Sequence, residues 1–278
     1  MNIRNFIDSK QKSYKWAMLT AYDFPTAELV ERAGADLILV GDSLGMVVLG
    51  YSSTRPVTMD EMVHHAKAVR RGALKTPVIG DLPFLGVKKG PRQALASARR
   101  FIDEAGCDAV KLEWSENAVR TARLLRKNRI QVMGHVGLTP QTVTDKKGYK
   151  VQGRTAADAQ RILDEAKAFE DAGCFSVLLE CVPSNVAAAV TRALRVPTIG
   201  IGAGPAVDGQ VLVFHDVAGL FTRFVPRFVK HYAHLAKPME HAAGAYVKEV
   251  RSGRFPAKRH EFSMDREERR LFEENLKK

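Results

Sequence analysis

The chain has 278 residues, 45% of them hydrophobic, and carries a formal net charge of +12. That length suits a single large α/β domain, and no apolar run is long enough to span a bilayer. Three scattered cysteines, Cys107, Cys174 and Cys181, argue against a disulfide framework, and MNIRNFIDSKQKSYK has no apolar core of a secretory signal, so a cytoplasmic protein is expected.

The predicted elements alternate along the chain. A short helix over 3–13 leads into a strand at 16–22, then a helix at 25–34 that stops on a glycine. A strand at 36–41 precedes a helix at 58–72, where Thr58 followed by Glu61 spells a capping box. Strand 77–81, helix 91–106, strand 108–113 and helix 116–128 follow. Then come strand 131–134, a long helix over 155–173, strand 175–180, helix 185–194, and strands 197–201 and 210–214. Eight strands joined mostly by helical crossovers predict a (β/α)8 TIM barrel, with a doubly wound open sheet as the rival. The domain is expected to span 1–262, including a helix at 239–252, and to end in a charged tail, 263–278, as a surface helix or frayed end.

Four of the apolar runs end on an acid: LILVGD at Asp42, TPVIGD at Asp81, DAVKLE at Glu113 and FSVLLE at Glu180. A carboxylate at the end of a buried strand is costly unless it pairs, binds metal or does chemistry. In a barrel these strand ends converge on one mouth, and hard oxygen donors of this kind suit Mg2+. Lys111 lies two residues before Glu113, so both face the same way; an inward lysine pairs with carboxylates or holds an anion. Ser43 sits just past a strand end, where it caps a turn or reaches a ligand. His135 opens the loop after QVMG, bound to backbone or donating to a substrate oxygen. Cys181 beside Glu180 is read as an inert thiol. IGIGAGP (199–205) lacks the GxGxxG spacing of a dinucleotide site and is read as a tight turn.

Several motifs occur in order: TAYD (20–23), VGDSLGM (40–46), PVTMDEMVHHAKAVRRGA (56–73), DLPF (81–84), VKLE (110–113), GHVGLTPQ (134–141), GYKVQGR (148–154), LLECVP (178–183), IGIGAG (199–204) and DGQVLVFHD (208–216). On these the chain closely resembles the 3-methyl-2-oxobutanoate (ketopantoate) hydroxymethyltransferase family, from about the N-terminus to Phe262. The resemblance implies a (β/α)8 barrel that binds Mg2+ and uses 5,10-methylenetetrahydrofolate as co-substrate to hydroxymethylate 3-methyl-2-oxobutanoate through an enolate, giving 2-dehydropantoate on the route to pantothenate and coenzyme A. It implies Asp42, Asp81 and Glu113 as the metal-site carboxylates and Glu180 as the proton acceptor. Asp42, Ser43, Asp81, Lys111 and His135 are the implied substrate-binding set, with Ser43 and Lys111 on the oxo acid's carboxylate and His135 in support. Asp23 in TAYD is expected to support the mouth. Family members form large homo-oligomers, typically decamers, and neither nucleic acid nor a membrane is an expected partner.

Two other readings stand against this one. A Mg2+-dependent carbon–carbon lyase or phosphonomutase, of the isocitrate lyase and phosphoenolpyruvate mutase type, also places acids at strand ends. A basic RNA-binding protein is supported by net charge alone, but the basic residues are not interleaved with aromatics and the strand-end acids would repel phosphate.

Overall fold

The structure, a computed structural model, describes residues 6, 8, 10, 14–142 and 150–277. Most of the expected leading helix, and Gly148 and Tyr149 of the GYKVQGR motif, lie outside these residues. The chain divides into two compact units, Met1–Tyr232 and Ala233–Lys278.

The first unit is the expected (β/α)8 barrel. Eight parallel strands close on themselves in sequence order: β1 (Trp16–Thr20), β2 (Leu37–Val40), β3 (Val78–Asp81), β4 (Ala109–Glu113), β5 (Val132–Gly137), β6 (Ser176–Glu180), β7 (Thr198–Ile201) and β8 (Gly209–Leu212). β8 pairs with β1, with Trp16 opposite Gly209, so no sheet edge remains. The crossover helices are α1 (Phe24–Arg32), α2 (Met59–Gly72), α3 (Pro91–Arg99), α4 (Ala118–Lys127), α5 (Ala156–Asp171) and α6 (Ser184–Ala193).

The side-chain period of two sorts each strand into an outward and an inward row. Outward residues such as Val78, Val110, Val132 and Val177 pack with Phe101, Leu125 and Phe169 from the helix layer. The inward row fills the barrel with Trp16, Met18, Leu37, Leu39, Ile79, Ala109, Met133, Leu178, Ile199 and Val211. That row fixes the site. Two residues on from Ile79 is Asp81, from Ala109 is Lys111 and then Glu113, from Met133 is His135, and from Leu178 is Glu180. The apolar layers below plug the barrel, and the polar layer above faces its mouth.

Local detail departs from the sequence reading in three places. β5 runs through Gly137, so His135 is a buried strand residue and not the first residue of a loop. The helix expected over 91–106 is α-helical only to Arg99 and then widens into a π-helical turn, Arg100–Glu104. The last strand stops at Leu212, and Phe214 opens a one-turn helix, Phe214–Val217. The capping box forms as read: Glu61 N–H donates to Thr58 Oγ1 at 3.2 Å, and Thr58 N–H donates to Glu61 Oε2 at 2.7 Å. Thr58→Ala is therefore expected to cost about 1 kcal/mol, read as a small fall in the thermal midpoint with no change in the unfolding cooperativity.

The second unit contains α7 (Ala236–Arg251) and α8 (Arg266–Asn275), so the charged tail is helical. On α8, Arg269 and Arg270 pair with Glu273 and Glu274 one turn on, at 2.7 and 2.6 Å. No helix among the described residues is long and apolar enough to cross a membrane.

Candidate active site

Asp42, Ser43, Asp81, Lys111, Glu113, His135 and Glu180 come together at the C-terminal mouth of the barrel. They line a cavity of about 310 Å³. Taken around the mouth, Asp42 and Ser43 follow β2, Asp81 ends β3, Lys111 and Glu113 stand on β4, His135 on β5 and Glu180 ends β6. The acids thus occupy the β2–β6 arc.

Asp81 is the centre of the first cluster and is 2% exposed. Its Oδ1 accepts from Lys111 Nζ at 2.6 Å, and its Oδ2 accepts the backbone N–H of Asp42 at 3.2 Å. Burial disfavours the Lys111 charge, but Asp81, Asp42 and Glu113 outweigh it and hold the ammonium above its ordinary pKa. Burial, then the Asp81 charge, push the Asp42 carboxyl well above the usual carboxylate range, with Lys111 pulling back. Ser43 does not cap the turn it opens; its hydroxyl shares a 2.8 Å hydrogen bond with the Tyr22 hydroxyl.

The second cluster is a row of three titratable groups. His135 Nδ1 lies 3.5 Å from Glu113 Oε2, and Nε2 lies 3.1 Å from Glu180 Oε2, neither contact aligned as a hydrogen bond. Burial and the Lys111 charge push the imidazole down, yet the two carboxylates outweigh them and raise it to about 9. His135 is therefore held as the cation at neutral pH. Burial raises the Glu113 carboxyl, with His135 opposing. Glu180 is the most open of the site acids, its side chain 18% exposed, so a ligand in the cavity can reach it.

Gln141 links the clusters and was not singled out by sequence. Its Nε2 donates to Asp42 Oδ2 and to the Leu82 carbonyl, both at 2.9 Å, and its backbone N–H donates to Glu113 Oε1 at 3.0 Å. It sits in an irregular segment after β5, where no periodicity marks an inward residue. The backbone there is also constrained. Gly137 has φ +97°, and a Cβ at that position would run into the Glu180 carbonyl, so only glycine lets β5 and β6 approach beside the barrel mouth.

Asp23 falls outside this group. It is exposed and caps α1, its Oδ1 accepting from Thr26 N–H at 2.7 Å. Burial pushes the Cys181 thiol up to about 12, so it stays protonated at neutral pH as expected for an inert cysteine.

The donor chemistry fits a divalent cation. Asp42, Asp81 and Glu113 bring three buried carboxylates to one wall, against one lysine and one histidine; burial raises the Asp42 and Glu113 carboxyls, and the Asp81 charge adds to both. Among the described residues no group of three or more His, Cys, Asp or Glu side chains is arranged to hold a metal ion by itself. An open arrangement of one or two carboxylates, completed by water and substrate oxygens, is how Mg2+ is usually held.

Fold and site together define a (β/α)8-barrel enzyme with a carboxylate-rich mouth. Solved structures share the architecture. Phosphoenolpyruvate phosphomutase from Streptomyces platensis subsp. rosaceus superposes with a TM-score of 0.62 at 16% identity, covering 100% of this chain and 99% of its own. A phosphonopyruvate hydrolase complex with oxalate and Mg2+ matches at a TM-score of 0.60 and 13% identity, covering 100% and 97%. Sequence relatives are far nearer. The 3-methyl-2-oxobutanoate hydroxymethyltransferases of Oleidesulfovibrio alaskensis and Moorella thermoacetica are 52% and 53% identical, over 97% and 91% of this chain and 93% and 94% of theirs. The ketopantoate hydroxymethyltransferase family model matches residues 1–258, and the chain belongs to that family.

Proposed function

We propose that this enzyme transfers a hydroxymethyl group from 5,10-methylenetetrahydrofolate to C3 of 3-methyl-2-oxobutanoate, giving 2-dehydropantoate for pantothenate synthesis in the cytoplasm. The observation that carries the reading is the division of the mouth. Asp42, Asp81 and Lys111 make one wall, and the accessible carboxylate of Glu180 stands across from them beside His135.

Each residue has a task in that reaction. Asp42 and Asp81, with Glu113 behind them, would hold Mg2+. Mg2+ bound there supplies positive charge for the oxygen on which negative charge develops when C3 loses its proton. Lys111 and Ser43 bind the carboxylate of the oxo acid and so aim C3 at Glu180. Glu180 takes the C3 proton. The C3 carbon then bonds to the methylene carbon of the folate as one of its two carbon–nitrogen bonds breaks; water displaces the second nitrogen and supplies the hydroxyl, and the two nitrogens take up the proton removed from C3 and the proton lost by water. His135, between Glu113 and Glu180, faces the Glu180 carboxylate at 3.1 Å and orients it. The large homo-oligomer implied by the family resemblance is part of the same proposal.

The decisive assay mixes the purified chain with 3-methyl-2-oxobutanoate and methylenetetrahydrofolate. The expected result is 2-dehydropantoate formation that EDTA abolishes and Mg2+ restores. Cleavage of a small 2-oxo or 2-hydroxy acid without folate, in place of this product, would overturn the reading in favour of a lyase.

A further inference from the structure

The acids leave one arc of the mouth unused. Between β7, β8 and β1 the cavity wall is built by the segment after β8, with Phe221, Phe224, Pro226, Arg227 and Phe228 lining it. Phe228 packs over Gly202, where φ is +61° and a Cβ would sit 2.7 Å from the ring, so the turn after β7 is shaped to seat that aromatic. Phe224 is 59% exposed at the rim. One carboxylate stands in this wall. Asp216, on the one-turn helix after β8, lines the same cavity and is 7% exposed. Burial pushes its carboxyl up to about 6, with His231 pulling the other way, and no side-chain hydrogen bond contributes. A nearly buried acid that accepts no side-chain hydrogen bond among the described residues, in a cavity that phenylalanines also line, is a receptor for a flat heterocycle that brings its own N–H groups.

We propose that this wall is the subsite for the pterin ring of the folate donor, Asp216 accepting from the adjacent ring N–H and 2-amino group while the phenylalanines pack on the ring. The inference rests on the folate-dependent reading above. The chemistry fits at three points. An amino-oxo-pteridine edge presents two parallel N–H donors, which a carboxylate accepts as a matched pair. Aromatic faces pack on its π-system. Arg227 at the same wall offers a cation to the anionic glutamate end of a folate. The geometry also leaves the oxo acid on the β2–β6 arc, so the two substrates meet across the cavity.

The test compares binding of 5-formyltetrahydrofolate, a stable probe, with its 2-desamino analogue, by calorimetry on the full chain. In the wild type the analogue is expected to bind at least tenfold more weakly. Asp216→Ala is expected to weaken the intact probe about tenfold and to erase that preference, while the KM for 3-methyl-2-oxobutanoate shifts less than twofold. Asp216→Asn, which keeps the side-chain volume, carries the same comparison should the alanine variant fail to fold. Phe224→Ala, at an exposed position, is expected to weaken both probes by a similar factor. A preference unchanged in both Asp216 variants, or equal rises in both KM values, overturns the subsite while leaving the reaction assignment standing. A wild type that neither binds the probe nor turns over methylenetetrahydrofolate overturns the reaction assignment itself, and the subsite with it.

Discussion

Glu180→Gln is expected to slow exchange of the C3 proton of 3-methyl-2-oxobutanoate in deuterated water by about 10²–10⁴-fold, the usual contribution of a positioned proton acceptor. The exchange needs no folate, so it isolates proton removal from one-carbon transfer. The amide keeps the shape of the side chain and can still face His135 Nε2, now 3.1 Å from the carboxylate. What it lacks is a lone pair basic enough to take a proton. Because the Glu180 side chain is 18% exposed, stability is expected to move little, and a thermal melt separates lost chemistry from lost fold. Glu180→Asp retains the base but withdraws it by one methylene, and an intermediate rate is expected. His135→Gln should follow the same direction more weakly, because it removes the ring that faces and orients the Glu180 carboxylate. Exchange within twofold of wild type in Glu180→Gln would mean that another group takes the proton.

The barrel and much of its mouth were legible because two simple signals coincide. Apolar runs of strand length recur between helical segments, and four of them close on an acid at the same relative place. In a parallel barrel this repetition is equivalent to convergence, because every strand ends on the same face. The period of two then adds Lys111 to Glu113 without further information. His135 was placed one element too far on, since MGHVG reads as strand followed by turn; pairing of Val136 with Leu179 and Gly137 with Glu180 extends β5 instead. Gln141 and Asp216 were not legible as site residues. Both belong to short segments between elements, where no periodicity tells inward from outward, and each gains its place only from closure of the barrel. Asp23 failed in the opposite sense: its motif drew attention to the mouth, while its carboxylate caps a helix.

Lys111→Met is expected to be the most destabilising single change at the mouth. The Lys111–Asp81 pair is 2.6 Å long, with side chains 6% and 2% exposed. Removing one partner of such a pair leaves a charge in a low-dielectric place with nothing to oppose it, which costs about 3–5 kcal/mol. Here the cost spreads beyond Asp81, since Lys111 also opposes the burial and the Asp81 charge that together raise the Asp42 carboxyl. For a domain of this size the thermal midpoint should fall by roughly 6–20 °C. Two controls identify the cause. Asp81→Asn combined with Lys111→Met removes both charges, and the double variant is expected to recover much of the loss; the amide oxygen can still accept from Asp42 N–H, the contact Asp81 makes at 3.2 Å. Added Mg2+ is expected to raise the midpoint of the single variant more than that of wild type, because the exposed need for positive charge now falls to the cation. The same substitution removes the group assigned to the substrate carboxylate, so kcat/KM should fall well beyond what the remaining folded fraction explains. A single variant within about 1 kcal/mol of wild type would show that Lys111 serves the substrate rather than the fold.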